Sequence, residues 1–327
     1  MHCRAKAVIG GRLLLVLALI SVIGLDAAQP RVPAAPRHPN FAGIWNSATA
    51  TPLERPARFK DKEFLTQEEA AAWERLTAAQ NEDTPMAASK NVGTYNAAFR
   101  EFGSHVVKTL RSAIIIDPPD GRLPALTPPA AAEKRRRQES LRHPGGAKDL
   151  GLQDQCLIFV TAVPPMTPYS YNSNYQFVQT NDELMIHVEM IHDTRIIHLD
   201  GRPHLPSNVR LWLGDSVGHW EGSTLVVDTA NFNDAGGFYG DAGGMFGWDR
   251  NLHVVERFSL LDANTILYRF EVDDPSAFTR PWKGELTMAR TSGPIYEYAC
   301  HEGNYALPNL LKGFGASEPA GLTPKAR

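Results

Sequence analysis

The residues best suited to chemistry crowd into 186–204, IHVEMIHDTRIIHLDGRPH, where His187, His192, His198 and His204 stand among Glu189, Asp193, Asp200, Arg195 and Arg202. Four of the chain's 11 histidines lie in this stretch. An imidazole titrates near working pH, a carboxylate fixes its tautomer, and a guanidinium binds an oxyanion or a substrate carboxylate. Together these types make an acid–base site. If 184–199 is extended, alternation puts His187, Glu189, Asp193 and Arg195 on one face, with Ile186, Val188, Met190 and His192 on the other. A break in register near His192-Asp193 would re-aim one histidine into a pocket. The candidate catalytic residues are therefore His192, His204, Glu189, Asp193 and Arg195. His192 or His204 moves the proton, Glu189 or Asp193 orients it, and Arg195 holds developing negative charge. The competing reading is a salt-bridged ladder on a solvated sheet face.

Asp200-Gly201-Arg202-Pro203-His204 reads as a turn at the pocket rim, in which Arg202 either meets substrate or staples the turn through Asp200. Tyr175, Arg202, Trp212, Tyr298 and His301 are the candidate substrate-binding residues. The stretch 212–222, WLGDSVGHWEG, reads as a hairpin with its tryptophans packed near the turn, and Ser216 lacks the strand-to-helix context of a hydrolase elbow. His192, His198 and His204 with Asp193 or Asp200 offer metal ligands, but their spacings match no standard pattern, so no metal ligand is assigned. Walker, Rossmann, haem-attachment and zincin signatures are absent, and the expected chemistry uses no organic cofactor.

The elements that must position these groups are short β-rich runs from about Tyr171 onward. They cover 175–180, 183–190, 194–199, 208–213, 224–229, 253–260, 265–272, 284–290 and 295–300, separated by turn residues. Such a series predicts an antiparallel meander curled into a barrel of about 8–10 strands, wide enough for one small ligand. Gly43-Ile44-Trp45 resembles the Gly-x-Trp that begins the first strand of lipocalin-like barrels. The stretch 231–247 holds six glycines and the aromatics Phe232, Phe238, Tyr239 and Phe246. It suits either a lid over the barrel mouth or a plain surface loop. Asp228, Asn233, Asp234 and Asp241 within or beside it fit no calcium-loop spacing.

The N-terminal half is mixed. Residues 1–28 open with Arg4, Lys6 and Arg12 and run through an apolar 13–25, which predicts a secretory signal peptide too short for a membrane span of about 20 residues. Thr66 and Glu69 form a capping box that launches an alanine-rich helix, and Thr127-Pro128-Pro129 caps a second whose basic run 134–137 reads as a solvated face or, alternatively, a polyanion site. The expected division is a signal peptide at 1–28, a mixed helical and loop region at 29–150, a barrel at 151–310 and a tail at 311–327. Once Cys3 leaves with the signal, Cys156 and Cys300 remain and are expected to pair, the alternative being Cys300 as a nucleophile beside His301. A formal net charge of -3 argues against nucleic acid as a partner.

The motifs at 191–204 (IHDTRII through GRPH), 212–222 and 296–304 (YEYACHEGN) together resemble an uncharacterised family of secreted bacterial proteins. The resemblance spans 112–304 and implies a periplasmic or extracellular setting, with no catalytic assignment to transfer. The expectation is a secreted enzyme performing hydrolysis, elimination or isomerisation on a small, partly apolar, aromatic or cyclic molecule. A lipocalin-like binding protein without turnover is the alternative, and an interaction module is the third reading.

Overall fold

A computed structural model of the chain describes residues 38–81, 103–169, 171–234 and 250–315. The expected signal peptide, most of the glycine-rich loop with Asp241, and the tail beyond 315 lie outside the described residues.

Ten strands form one sheet in the order β1-β3-β4-β5-β6-β7-β8-β9-β10-β2. They are β1 Gly43–Asn46, β2 Ile115–Asp117, β3 Asn174–Gln179, β4 Glu183–Val188, β5 Thr194–His198, β6 Asp215–Glu221, β7 Thr224–Ala230, β8 His253–Asp262, β9 Thr265–Asp273 and β10 Trp282–Thr291. Ile44 of β1 lies opposite both Gln176 of β3 and Thr291 of β10, which closes a barrel of nine strands and leaves β2 outside on β10. The mainly β barrel expected from the spacing is present, and the Gly-x-Trp strand closes it.

The meander breaks at one place, because β5 and β6 are parallel, with Ile197 beside Ser216 and His198 beside Val217. Parallel neighbours need a long return. Residues 199–214 make that return and bring Arg202 and His204 back to the start of β6. Gly218 of β6 is the glycine this crossing requires, since a Cβ there would stand 2.8 Å from Leu199 and 3.0 Å from Ile197.

Two expected strands are corrected. Residues 208–213 form no strand and hold only the Leu211–Phe232 bridge, and 295–300 run as irregular chain. Conversely, 215–221 is a strand rather than a turn, because the hairpin reverses later, at Gly222 with φ of 62°. In each case pairing partners, not local composition, decide the state.

Among the described residues three α-helices accompany the barrel: α1 Gln67–Asn81, α2 Pro128–Arg142 and α3 Ala306–Gly313. The capping box forms as expected, with the Glu69 amide donating to Thr66 Oγ1 at 3.2 Å and the Thr66 amide to Glu69 Oε2 at 3.0 Å. On α2, Glu133 pairs with Arg136 and Arg137, two of the four cations of the basic run. No helix among the described residues is long and apolar enough to cross a membrane.

The lumen is filled by the chain itself. Arg195 of β5 and Glu256 of β8 bond across the barrel, although β6 and β7 separate them in its wall. Met166 touches both sides of that pairing: its amide donates to the Tyr268 hydroxyl at 3.0 Å, and its sulfur lies 3.9 Å from Arg195. The whole segment 158–167 is buried and packs with Trp45, Tyr175, Phe177, Ile186, Phe258 and Met288 in one core. Each large apolar side chain removed from water contributes about 1.5–3 kcal/mol, which favours this plug over an open lumen. The expected central ligand cavity is therefore occupied.

Candidate functional site

The candidate residues of 186–204 divide among three places. The first is the β4–β5 connection at 189–193. There the Val188 amide donates to the Asp193 carbonyl at 2.8 Å, and Ile191 and His192 carry φ of 61° and 65°. Two successive left-handed residues without glycine, one of them β-branched, are strained, and such strain clusters at functional sites. The register does break near His192-Asp193, but as a full reversal. Ile186 lies opposite Arg195 in the hairpin, so Arg195 turns into the lumen with Ile186 while His187 stays outside. The expected common face of His187, Glu189, Asp193 and Arg195 does not form.

At this connection Glu189 is buried and accepts from Asn172 at 2.6 Å, Asn174 at 3.3 Å and the Tyr296 amide at 3.1 Å. It anchors the C-terminal arm. Burial pushes the Asp193 carboxyl up to about 6, and its Oδ2 has no hydrogen-bond partner among the described residues. His192 is exposed and meets the His187 ring edge-on at 4.4 Å. Burial and the neighbouring His192 hold His187 below the usual histidine value.

The second place is the lumen. Both terminal nitrogens of Arg195 donate to Glu256, at 2.6 and 2.9 Å, and the Tyr268 hydroxyl donates to the same carboxylate at 2.8 Å. The paired side chains are 2% and 0% exposed. Burial, then the Glu256 charge, lifts the Tyr268 phenol well above its ordinary value, and burial raises Tyr175 likewise. Both phenols stay neutral, Tyr268 donating to Glu256 and Tyr175 accepting from Ser47 Oγ at 3.5 Å. Arg195 thus sits in a polar knot inside the plugged barrel with both terminal nitrogens engaged and its Nε without a partner among the described residues, while Tyr175 is buried in the same core.

The third place is the outer face of the barrel, where the return 199–214 lies over the ends of β6, β7 and β8. Asp215, 3% exposed, accepts from the Arg202 guanidinium, from the Leu205 amide at 2.8 Å and from His204 Nδ1 at 2.9 Å. His204 Nε2 faces Asp228 Oδ1 at 3.0 Å, and His253 Nε2 meets the same oxygen at 2.9 Å. A carboxylate thus faces each nitrogen of the His204 ring. Burial works against the charge on Asp215 and Asp228. Arg202, the Leu205 amide and His204 nevertheless hold Asp215 low, and His253 with His204 does the same for Asp228. The hydrogen bond that His253 donates to Asp228 raises its pKa above the usual histidine range, against partial burial.

His253 also lines a groove of about 350 Å³ on the outer wall. Ile116, Val255 and Phe270 give it apolar surface, and Arg257, Arg269, Glu271, Asp273 and Lys283 give it charge. Among the described residues nothing takes His253 Nδ1.

The remaining candidates scatter. His198 pairs with Glu183 at 3.4 Å, and no group of His, Cys, Asp and Glu among the described residues is placed to hold a metal. Trp212 is exposed on the return segment, His301 is exposed on the C-terminal arm, and Tyr298 lines a separate cleft. Cys156 and Cys300 form the expected disulfide, with Cα atoms 5.9 Å apart, so Cys300 is no free nucleophile. Sequence reasoning missed His253 and Glu256 and placed Asp228 only in a calcium set. A signal for Glu256 exists, since it shares the apolar phase of Val254 and Phe258 in β8. His253 needed the β7–β8 register, which sets Asp228 opposite Val255 and so diagonal to it.

No family model, no curated protein and no solved structure matches the chain.

Proposed function

We propose that the protein is an acid–base enzyme acting on a small, partly apolar molecule held in the groove beside His253. The observation that carries this reading is the shared carboxylate: Asp228 Oδ1 bonds two imidazoles, and one of them lines the groove. In this reading His253 moves the proton through Nδ1, and Asp228 fixes its ring and raises its basicity. His204, Asp215 and Arg202 are positioning residues that hold Asp228 in place. Arg257, Arg269 and Lys283 border the groove, paired with Glu221, Glu285 and Glu271 respectively, and in this reading a developing oxyanion draws on the N–H donors that those pairs leave uncommitted. Hydrolysis, elimination or isomerisation of an aromatic or cyclic substrate fits this combination of apolar floor and charged rim. A periplasmic or extracellular setting goes with it, supported by the Cys156–Cys300 bond.

The test is untargeted mass spectrometry of culture extract incubated with the purified protein, beside His253→Asn and Asp228→Asn variants. A metabolite consumed by the wild type, and at least about 100-fold more slowly by His253→Asn, supports the enzyme and names the reaction by its mass change. No mass change, with a compound co-purifying stoichiometrically, replaces the enzyme by a binding protein.

A further inference from the structure

The wall of the groove at His253 is ordered in rows by the register of β8, β9 and β10. One row sets His253 opposite Asp273, the next sets Val255, Glu271 and Lys283 side by side, and the third sets Arg257, Arg269 and Glu285 side by side. Arg257 and Arg269 thus stand directly opposite each other across β8 and β9, and like charges so placed repel. Each meets a carboxylate only on its far side, since Arg257 Nη1 donates to Glu221 at 2.8 Å and Arg269 Nε to Glu285 at 2.7 Å. The charges run minus, plus, plus, minus, and no carboxylate among the described residues bonds both arginines. Arg269 is the better anchored of the two. Its partner Glu285 is 1% exposed, and although burial works against that charge, the bond from Arg269 and the Arg111 charge hold the carboxyl below its ordinary range. The bond fixes the guanidinium through Nε. It leaves Nη1 and Nη2, the fork that grips a carboxylate, without a partner among the described residues.

The two ends of the groove differ in sign. Asp228, Asp273 and Glu271 all act on His253 as negative charges, whereas the far row presents the two arginines. An anionic group is repelled from the first end and drawn to the second, which gives a guest one orientation. Val255 lies between the ends, with Ile116 and Phe270 beside it. Four residues of extended strand separate His253 from Arg257, about 13 Å along the backbone, which leaves room for one ring and a short chain. We propose that the groove is selective for an organic carboxylate, its carboxyl group held by the open nitrogens of Arg269 and Arg257 and its apolar body lying over Val255 toward His253. Arg269 is the specificity residue, and Glu285, which does not line the groove, is a positioning residue that acts through it. Calling that molecule the substrate rests on the acid–base reading, whereas its binding does not depend on turnover.

The experiment is isothermal titration calorimetry of the disulfide-intact protein at low salt with two probes of matched shape, 4-phenylbutyrate and the neutral 4-phenyl-1-butanol. Saturable one-to-one binding of the carboxylate, at least about tenfold tighter than the alcohol, is the expected result. Arg269→Gln should bring the carboxylate to the affinity of the alcohol and leave the alcohol unchanged. Arg269→Lys, which keeps the charge but not the fork, should restore only part of the difference. Glu285→Gln should weaken the carboxylate and not the alcohol, whereas a purely structural lesion would weaken both. Equal affinity for the two probes, no saturable binding, or a carboxylate preference that survives Arg269→Gln overturns the proposal. Should Glu285→Gln not fold, the half-exposed Arg269 and the pair of probes still decide. Turnover of neutral or cationic metabolites alone would keep the enzyme and remove the selectivity, and a carboxylate bound with no metabolite consumed would keep the selectivity and remove the enzyme.

Discussion

The lumen and the outer wall use the same side-chain types to opposite ends. Inside, Arg195, Glu256 and Tyr268 form a knot in which every strong bond is internal and both charges are sealed from water. Outside, Arg202, Asp215, His204, Asp228 and His253 form a chain that begins in a buried carboxylate and ends on an imidazole at a groove. A buried ion pair is costly to break yet does little chemistry here, because the terminal nitrogens of Arg195 and the carboxylate of Glu256 are already committed to each other and to Tyr268. A graded chain holds one end rigid and leaves the other open, which is what acid–base groups need. Solvent access therefore matters more here than the identity of the charged residues.

The sharpest way to break this contrast is to remove one partner of the inner pair. Glu256→Ala leaves the Arg195 charge buried without a counter-ion, so urea unfolding should lose about 3–5 kcal/mol, whereas Arg195→Met, Glu256→Leu should recover most of the loss. A cost below about 1 kcal/mol for the single change would mean that water reaches the pair, and the sealed lumen would be wrong. The β4–β5 connection gives a smaller effect of opposite sign. Burial raises Asp193 to about 6, so its ionised form burdens the fold increasingly as pH climbs from the ordinary 3.8 through that value. Asp193→Asn should stabilise the protein by about 1 kcal/mol at pH 7.5 and by almost nothing at pH 4. An equal gain at both pH values would show that ionisation is not the cause.

The outer chain should give the smallest change in stability. His253 titrates above the ordinary 6.5, so its pairing with Asp228 contributes fully below that pH and is lost as pH rises through the raised value. At the acid end, Asp228 is held below 3.8, and its contribution disappears as pH falls through its lowered value. Both groups are partly exposed, so Asp228→Asn should cost under about 1 kcal/mol. In an NMR titration the same change should return the His253 imidazole toward 6.5. An unmoved His253 would separate the two residues and remove the basis for their proposed joint role.

Much of the fold was legible in the residues. Alternation in 175–180, 224–229 and 265–272 marks β3, β7 and β9, and Thr66 with Glu69 marks the start of α1. The strand β6 escaped notice because Gly218 and His219 blur its alternation, and the glycine answers to Leu199 and Ile197 across the parallel step. Of the site, Arg202 and His204 stand out by composition, and Asp215 lies in a motif already dense. Their partner His253 stands alone in sequence, and only the register of β7 on β8 brings it to Asp228.

By itself the sequence determined what local chemistry can determine: strands by period, helix starts by caps, a disulfide by two cysteines, and a stretch too rich in ionisable groups to be ordinary surface. The tertiary structure decided which of those groups meet. Arg195 and His187 are near neighbours in sequence and end on opposite sides of a barrel wall, because a hairpin reverses between them. His204 and His253 are far apart in sequence and share one carboxylate oxygen, because a parallel step sends the chain back over the outer face. Side-chain direction follows from pairing and register, and these are set by contacts between segments that no local pattern contains.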